Sequence, residues 1–421
     1  MSSQLAGRLS VDEELEIIAR GAEEIFPREE LRPKLVAARA QNRPLRVKLG
    51  VDPTGSELHI GHAIPVLKLR QFQELGHQAV LIIGDYTATV GDPSGRNKAR
   101  PQLSHEEVLA HSAHYQEQVA GLLDLERTEV VYNGDWFAKL PFSGVVRLLS
   151  QMTLARMLER EDFAKRYAEH SPISLHELVY PLMQGYDSVQ VRADVELGAM
   201  DQKFNILVGR DLQREAGQEP QIGVCNPVLI GTDGVLKMGK STGNYIALRD
   251  PAEEMYGKVM SIPDALMPMY YELLTDIPLA QLERERVDAA QGRLHPKALK
   301  SRLARLVVAR FHSAAAAEAA AAAFERVFAQ GELPEDIPTF DVRPLLADDG
   351  TVWLVKLLAA AELAPSNAEA RRLITQGGVR IDGAPQADPN LQWRPQDGAV
   401  VQVGKRKYLR IRLGARPESV R

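Results

Sequence analysis

RVKLGVDPTGSELHIGHAIPVLKLRQFQELGHQAVLII, residues 46–83, contains two strand patterns separated by a helix pattern. Arg46–Val51 is a short strand pattern, and residues 63–75 form a helix pattern that Gly76 closes. Gln78–Ile83 is a continuous apolar run, typical of a strand buried on both faces. This order predicts a βαβ unit, and therefore an α/β protein with a Rossmann-like parallel sheet.

The rest of the chain divides into segments with different patterns. Strand patterns recur at 129–132 and 222–230, with helix patterns at 143–163 and 174–191 between them, and residues 12–41 read as helical. From residue 251 the pattern is almost wholly helical, and it ends in a stretch that contains three prolines. We therefore predict a catalytic domain over 1–250 with a helical insertion around 135–170, an α-helical domain over 251–330, a linker over 331–350 and a small α+β domain over 351–421.

Composition indicates a globular enzyme of two or three domains. The chain has 421 residues, of which 45% are apolar and 25% charged. Cys225 is the single cysteine, which excludes an internal disulfide and suits a reducing cytoplasm. The N-terminus lacks the pattern of a secretory signal, and the apolar runs are too short to span a bilayer, so we expect a cytoplasmic protein without a membrane partner.

Charge is unevenly distributed along the chain. The net charge is −5, but residues 351–421 hold 12 Lys and Arg against six Asp and Glu, a net of +6 that leaves −11 for the remainder. A basic end on an acidic body suggests that the C-terminal segment meets a polyanion. Chance variation in the charge of a small surface module explains the same numbers equally well.

The loop after the first strand pattern leads into His59-Ile-Gly-His62. Two histidines three residues apart at a helix start lie about one turn apart on the same face. The free N–H groups of a helix N-terminus favour phosphate, and Gly61 leaves room for a flat ring against the backbone. The alternatives are a helix start with two incidental histidines, or metal ligation by a pair that has no obvious third ligand.

A second motif, Lys237-Met-Gly-Lys240-Ser241, follows a late strand pattern and a turn. Two lysines among small residues form a cationic loop that can close over a triphosphate and neutralise developing charge. Alone, this motif is more simply explained as a surface loop with two lysines. The chain contains no Walker-type loop and no two-histidine-plus-Glu zinc motif.

Together, the two motifs resemble the paired signature of the class I aminoacyl-tRNA synthetases. The first motif matches at all four positions, and the second differs from the usual Lys-Met-Ser-Lys-Ser at Gly239, a change that we expect to loosen the loop. Residues 178–187 place Tyr180, Gln184 and Asp187 on one helical face. With the Gly91–Gly95 turn and the pair Asp201-Gln202, they resemble tyrosyl-tRNA synthetases, closely over roughly residues 45–250 and more loosely in the C-terminal module.

The resemblance implies a function and a set of site residues. It implies a tyrosine–tRNA ligase that uses ATP with Mg²⁺, forms tyrosyl-adenylate and transfers tyrosine to tRNA(Tyr), without a protein-bound metal. In this family the catalytic groups would be His59, His62, Lys237, Lys240 and Thr54. Those that bind tyrosine would be Asp187, which accepts from the phenol, and Tyr180, Gln184, Asp92 and Gln202, which surround the α-ammonium. Those that bind ATP would be His59, Gly61, His62, Asp201, Lys237, Lys240, Ser241, Arg96 and Arg100.

Three positions depart from a common bacterial version of the family. Lys48 stands where a tyrosine helps to bind the phenol, Leu49 replaces a small polar residue, and Ala199-Met200 replaces Gly-Ser. The Lys48 stem could line the pocket with its ammonium turned elsewhere, or its charge could meet the phenol. Tryptophan is the nearest competing substrate, although a carboxylate facing a phenol favours tyrosine.

The C-terminal segment resembles the small RNA-binding domain first known from a bacterial ribosomal protein. Its basic residues are Arg371 and Arg372 on a helix and the cluster Lys405, Arg406 and Lys407. Such clusters bind phosphates and read shape more than sequence, so contact with tRNA is expected, with the alternative of a solvated basic face. The resemblance also implies that 251–330 meets the anticodon and that the insertion forms a homodimer. Two rival functions are an adenylating enzyme without tRNA and an RNA-binding factor with a decayed active site.

Overall fold

The computed structural model describes residues 9–53, 55, 57–94, 104–329, 337–404 and 407–414. The chain forms two compact units that divide between Ala321 and Ala322. Thr54, Arg96, Arg100, Lys405 and Arg406, which the sequence suggested as site residues, lie outside the described residues.

The first unit is built on a six-stranded sheet. The strands are β1 Glu24–Phe26, β2 Arg46–Val51, β3 Gln78–Ile83, β4 Thr128–Tyr132, β5 Val195–Ala199 and β6 Ile222–Asn226, in the order β1-β6-β5-β2-β3-β4. All neighbours are parallel except β1, which pairs antiparallel with β6. The predicted parallel sheet is therefore confirmed. The chain leaves β2 toward β3 on one side and returns at β5 on the other, which opens a crevice at their carboxyl ends.

Helices cover the sheet and form the insertion. They are α1 Val11–Ala19, α2 Arg28–Ala40, α3 Ile60–Glu74, α4 Thr87–Val90, α5 His105–Val119, α6 Gly134–Phe137, α7 Phe142–Leu149, α8 Leu154–Met157, α9 Glu161–Ala168, α10 Tyr180–Val191 and α11 Lys203–Glu215. Gly76, with φ of +92°, provides the left-handed residue that ends the α3 region, as the sequence predicted.

Two helix predictions in this unit were wrong. Residues 12–41 are not one helical region, because β1 interrupts them and pairs with β6. The Phe26 ring packs on the bare backbone of Gly223, where a methyl group would lie 2.3 Å from the ring, and this long-range contact overrides the local periodicity. The pattern at 143–163 is likewise divided, since α7, α8 and α9 are separate short helices.

The same unit continues into helices beyond residue 251. They are α12 Ala252–Ser261, α13 Met267–Leu274, α14 Leu279–Ala290, α15 Pro296–Phe311 and α16 Ala314–Ala329, and the unit boundary falls within α16. The hydroxyl of Tyr270 on α13 donates to the carbonyl of Ile230 at 2.7 Å. This contact attaches the helices to the start of the lysine loop.

The second unit is a small α+β structure. Its elements are β7 Thr339–Asp341, β8 Val352–Trp353, α17 Leu354–Ala360, α18 Asn367–Thr375, β9 Val379–Ile381, β10 Ala384–Gln386, β11 Gln392–Trp393, β12 Val400–Val403 and β13 Lys407–Arg412. The main sheet has the order β10-β9-β12-β13-β7. Part of the predicted linker is built into this unit, because β7 pairs with β13. Leu354, Leu358, Ile374 and Val401 are fully buried in its core.

Candidate active site

The two motif histidines lie together at the start of α3. His59 precedes the helix, and its backbone N–H donates to Nδ1 of His62 at 3.2 Å. The two rings stack, with centroids 3.7 Å apart and planes inclined by 26°. His59 also forms an antiparallel bridge with Ala247, which follows the lysine motif. The backbone therefore joins the first motif to the segment after the second.

Both histidines are neutral at pH 7. Burial, and then the neighbouring His62, Lys240 and Lys237, lower the pKa of His59 to about 3. Desolvation by the surrounding protein, and then the two lysines, lower the pKa of His62 to about 4, although His62 as a residue is partly open to solvent. Within the described chain, Nδ1 of His59 is buried and has no hydrogen-bond partner. Such a ring can act toward phosphate as a neutral hydrogen-bonding group.

Both lysines of the second motif face the crevice. The Nζ atom of Lys237 lies 3.0 Å from Oδ2 of Asp201, just beyond β5. A methyl group at Gly55, in the loop before α3, would lie 3.4 Å from Nζ of Lys240. The two motifs, far apart in sequence, are therefore neighbours, and their groups converge on the carboxyl ends of β2 and β5.

Asn244 holds the lysine loop in shape. Its side-chain nitrogen donates to Asp233 Oδ2 at 2.8 Å and to the carbonyls of Leu236 and Lys237, and its oxygen accepts from the Gly239 N–H at 2.9 Å. Gly239 has an extended backbone that any residue adopts, and a methyl group there would only touch the Thr242 hydroxyl at 3.4 Å. The expected loosening by Gly239 is thus opposed by hydrogen bonds centred on Asn244.

Asp187 lies buried under the crevice. Oδ1 accepts from the indole N–H of Trp136 at 3.0 Å, and Oδ2 accepts from the Asn133 amide at 3.2 Å. Burial raises the pKa of Asp187 to about 7, against the lowering effects of Lys48, Asn133 and Trp136. One buried carboxyl with two N–H donors is suited to accept a hydrogen bond from an incoming hydroxyl.

The other predicted tyrosine contacts lie along α10 and around the end of β5. The Tyr180 hydroxyl donates to Oδ2 of Asp52 at 2.8 Å, which places it at the end of β2. The Gln202 amide donates to Oδ2 of Asp92 at 2.8 Å, and Asp92 also accepts from Ser94. Gln184 connects to the same group through Asn205, whose amide donates to both glutamines. The structure therefore brings together Tyr180, Gln184, Asp187, Asp92 and Gln202.

Lys48 is fully buried, and its ammonium is bonded to groups other than Asp187. Its Nζ donates to the Gln184 carbonyl at 2.8 Å, to Ser188 Oγ at 2.7 Å and to Glu196 Oε1 at 2.9 Å. These three bonds use all three ammonium protons. Of the two interpretations that the sequence left open for Lys48, the structure supports the one with the charge directed elsewhere.

The remaining predicted positions fall around the crevice. A methyl group at Gly61 would lie 3.0 Å from Nδ1 of His59, a tight contact that would press on that ring. Gly50 is exposed at the end of β2, where a methyl group would meet no heavy atom within 4 Å, so the crevice has open space there. Ser241 is exposed in the lysine loop, whereas Met200 packs on the cluster around Phe26 and Ile206.

Sequence reasoning missed six polar residues that hold the predicted ones in place. They are Asp52, Asn133, Trp136, Glu196, Asn205 and Asn244. Asp52 was within the quoted loop, and Glu196 interrupts an apolar strand, which is a detectable sign of a paired buried charge. Asn133 and Asn205 gave no signal, because isolated amides in helix and turn patterns are ordinary surface residues.

The predicted RNA contacts that the structure describes lie in the second unit. The Arg371 guanidinium sits 4.9 Å from the centroid of the Trp353 ring, and Arg372 pairs with Glu369. Lys407 donates to the Leu363 carbonyl at 3.1 Å. Arg371 and Arg372 project from exposed positions on α18.

Neither a metal cluster nor a membrane helix is present in the part of the chain that the structure describes. Over those residues, no three His, Cys, Asp or Glu side chains gather closely enough to hold an ion. Among the same residues, each helix is too short or too polar to cross a bilayer.

The amino-acid sequence of the chain is similar to those of known proteins and domains. Residues 40–329 match the model of the family "tRNA synthetases class I (W and Y)", and residues 352–397 match that of the S4 domain. The chain is 51% identical to a tyrosine–tRNA ligase of Moorella thermoacetica over 95% of this chain and 96% of the relative. It is 49% identical to one of Carboxydothermus hydrogenoformans, over 96% and 99%.

Solved structures share the fold at lower identity. A C-terminally truncated mitochondrial tyrosyl-tRNA synthetase of Aspergillus nidulans aligns with a TM-score of 0.63 at 24% identity, covering 76% of this chain and 95% of the other. The tyrosyl-tRNA synthetase of Archaeoglobus fulgidus in complex with L-tyrosine aligns with a TM-score of 0.59 at 24% identity, over 74% and 100%.

Proposed function

The chain belongs to the class I tRNA synthetases of the tryptophan and tyrosine family, within the branch of the tyrosine–tRNA ligases, and on that premise we propose how its residues carry the reaction. The reaction is the ligation of tyrosine to tRNA, through activation of the amino acid with ATP. The observation that carries the residue assignments is that His59, Lys237 and Lys240 lie close enough to affect one another at the crevice, while the Asp187 carboxyl is buried nearby on α10.

In the first step, the tyrosine carboxylate attacks the α-phosphorus of ATP in line and releases pyrophosphate. The nucleophile is already ionised, so no general base is required, and catalysis rests on positioning and charge stabilisation. Lys237 and Lys240 supply positive charge at the leaving phosphates, and His59 supplies a neutral hydrogen bond there. Asp201 binds the ribose, with His62 beside it; the Lys237–Asp201 ion pair of 3.0 Å must open when the nucleotide enters.

Asp187 reads the phenol of the substrate. The carboxylate is buried with Asn133 and Trp136 as its donors, and it accepts a further hydrogen bond from the tyrosine hydroxyl. Phenylalanine would leave this buried group without that partner, an argument for which this family is itself the standard example. Tyr180, Gln184, Asp92 and Gln202 surround the α-ammonium, since their oxygen atoms can accept from its three protons.

Magnesium arrives with the nucleotide as part of the substrate. Mg²⁺ commonly keeps several waters and binds through phosphates with few protein carboxylates.

Transfer to tRNA involves the remaining segments. The S4 unit contributes Arg371, Arg372 and Lys407 to RNA phosphates, and the helices of 251–330 meet the anticodon.

The insertion carries an apolar surface suited to a homodimer interface, because Phe142, Val146 and Leu149 are exposed along one face of α7. Light scattering tests the dimer, since a monomeric mass of 46.6 kDa at assay concentration would refute it. A reducing cytoplasm is the proposed location, in keeping with the free, buried Cys225.

Single-turnover formation of tyrosyl-adenylate tests the charge-stabilising roles. Lys240→Ala should slow this step by roughly 100-fold or more, as for the loss of one transition-state donor. The dissociation constant for tyrosine should change little, because Lys240 lies on the phosphate side. A large loss of tyrosine affinity with an unchanged rate would place Lys240 in the amino-acid pocket instead. Arg214→Ala, at an exposed position of α11, is the matched control.

A further inference from the structure

Three amides form a continuous hydrogen-bonded chain between two carboxylates beside the tyrosine pocket. Gln184 Nε2 donates to Glu196 Oε1 at 3.1 Å, and Gln202 Nε2 donates to Asp92 Oδ2 at 2.8 Å. Between them, Asn205 Nδ2 donates to Gln184 Oε1 at 2.8 Å and to Gln202 Oε1 at 3.0 Å. The hydrogen bonds therefore run without a break from Glu196 through the three amides to Asp92.

The direction of this chain is fixed by its ends. An ionised carboxylate only accepts hydrogen bonds, so each end requires the NH₂ group of the adjacent glutamine. Both glutamine oxygens must then face inward, toward Nδ2 of Asn205, as the distances have it. An ammonium group needs acceptors, and a glutamine turned the other way would present N–H groups to it. The carboxylates thus select the orientation in which Gln184 and Gln202 can bind a cation.

Glu196 is held in place by a closed network. Its two oxygens accept from Lys48, Gln184, Ser188 and Gln221. Lys48 and Glu196 are 0% and 1% exposed at their side chains, and every ammonium proton of Lys48 is used within the network. Neither charge is directed to the substrate. Lys48 and Gln184 share the same oxygen, Oε1, whereas Ser188 and Gln221 share Oε2.

One acceptor in the chain is unsatisfied. Asn205 is 0% exposed, and its Oδ1 has no hydrogen-bond partner among the residues that the structure describes. A buried amide oxygen without a partner is costly. The bonds that the Asn205 amide does make among the described residues are those from Nδ2 to the two glutamine oxygens.

We propose that Glu196, fixed by Lys48, and Asn205 are positioning residues that orient the Gln184 and Gln202 amides to accept from the α-ammonium of tyrosine. The inference rests on the proposed function, because it assumes that Gln184 and Gln202 meet the ammonium. It assigns to this chain's buried ion pair a role in amino-acid binding, rather than in recognition of the phenol.

The test uses two probes that divide the substrate. Tyramine keeps the ammonium and lacks the carboxylate, whereas 3-(4-hydroxyphenyl)propionate keeps the carboxylate and lacks the ammonium. The variants are Glu196→Gln alone and the double variant Lys48→Met with Glu196→Gln, both in the full chain. Calorimetric titration gives the dissociation constant of each probe, and thermal unfolding checks that each variant folds.

The two variants should differ in a specific way. In the single variant, the Lys48 ammonium attracts the oxygen of the new amide at position 196 to the side that faces Gln184. Gln184 therefore still donates to an oxygen and keeps its orientation. In the double variant, Ser188 and Gln221 both donate to the oxygen of the new amide at position 196, so the NH₂ group of this amide faces Gln184. The Gln184 amide must then turn over, because it now has to accept from that NH₂ group. The double variant should therefore weaken tyramine binding by roughly ten-fold, the value of one hydrogen bond to a charged group. The dissociation constant of 3-(4-hydroxyphenyl)propionate should change by no more than about two-fold, because that probe has no ammonium group.

A purely electrostatic role predicts the opposite order. The single variant leaves a buried positive charge that repels an ammonium, whereas the double variant removes both charges. Weaker tyramine binding in the single than in the double variant would therefore overturn the proposal, as would equal losses for both probes or no loss for either. If only one variant folds, the dissociation constant of tyramine divided by that of 3-(4-hydroxyphenyl)propionate still tests the proposal. The proposal predicts that this ratio is raised in the double variant and has the wild-type value in the single variant.

Two further variants serve as controls. Glu14→Gln alters another buried carboxylate, paired with Arg39 and His77, and should leave the ratio unchanged. Gln184→Ala tests the underlying assumption, because it should weaken tyramine selectively if this side chain meets the ammonium. An unchanged tyramine constant in Gln184→Ala would refute the proposed role of Gln184 itself, whereas a loss there without one in the double variant would refute only the positioning by Glu196.

Discussion

At the scale of single residues, Asp187 is the proposed acceptor for the substrate phenol, and its pKa is shifted. Its usual pKa near 3.8 is raised to about 7, chiefly by burial, so the carboxyl of the free protein is protonated below about pH 7 and ionised above it. The ionised form accepts a hydrogen bond more strongly. Because the folded-state pKa is raised, the contribution of Asp187 to folding stability is present below about pH 4, falls as the pH rises from about 4 to about 7, and is constant above that range.

Tyrosine affinity should therefore increase as the pH rises through about 7. Titration of tyrosine binding across this range measures the effect, and Asp187→Asn should bind more weakly with a flat pH profile. The histidines do not confuse the result, since their pKa values of about 3 and about 4 keep them neutral throughout. A pH dependence that survives in Asp187→Asn would assign the titration to another group.

The positions of residues in the crevice could be predicted from sequence only where a motif marked them. The histidines, the lysines and Asp187 stand at motif positions, and the structure brings them to one crevice. The function of Lys48 could not be read, because it depends on which strand lies beside β2. The sheet places Lys48 level with Glu196 on β5, and no local pattern contains that pairing.

At the scale of elements, the lysine loop is a short segment stabilised by one side chain. Asn244 is 4% exposed, and its amide joins both ends of the loop through Asp233, Lys237 and Gly239. Removing the amide takes away the hydrogen bonds that it makes to the Gly239 N–H and to the Lys237 carbonyl. The loop would then sample more open conformations, with its lysines withdrawn from the phosphates.

Asn244→Ala should slow adenylate formation while leaving the dissociation constant for tyrosine nearly unchanged. It should also make residues 231–244 more susceptible to limited proteolysis, since local opening exposes the chain to cleavage. Thr242→Ala, which removes only a hydroxyl that bonds within the loop, is the milder control. An unchanged rate of adenylate formation in Asn244→Ala would show that the loop does not need this support.

The elements themselves were predictable where the pattern was local. The β2–α3–β3 unit follows from apolar runs and a closing glycine. The strand β1 was not predictable, because its existence depends on the distant Gly223, which leaves space for the Phe26 ring. The close packing of α10 on α11 could not be predicted either. It depends on Gly185, which faces the backbone of Gly209, and neither glycine belongs to a recognisable motif.

At the scale of the whole molecule, the basic C-terminal unit and the catalytic unit are expected to act on different substrates. Arg371 and Arg372 lie on α18, in the unit that matches the S4 domain, and carry charge suited to RNA phosphates. The proposed sites for the amino acid and ATP lie in the other unit.

Replacing both arginines by alanine should raise the KM for tRNA in aminoacylation and make the reaction less sensitive to salt. ATP–pyrophosphate exchange, which needs no tRNA, should stay at its original rate. Arg214→Ala, at an exposed position of the catalytic unit, should alter neither activity. If the double replacement lowered exchange as much as aminoacylation, the two units would not be functionally separate.

The central claim is that this chain activates tyrosine at the crevice formed by the two motifs. ATP–pyrophosphate exchange, with each of the twenty amino acids offered separately in the presence of Mg²⁺, tests it most directly. The account predicts exchange with tyrosine and none above background with phenylalanine or tryptophan. Exchange with another amino acid would contradict the role given to Asp187, and no exchange from folded protein would contradict the assignment of His59, Lys237 and Lys240 as an active catalytic set.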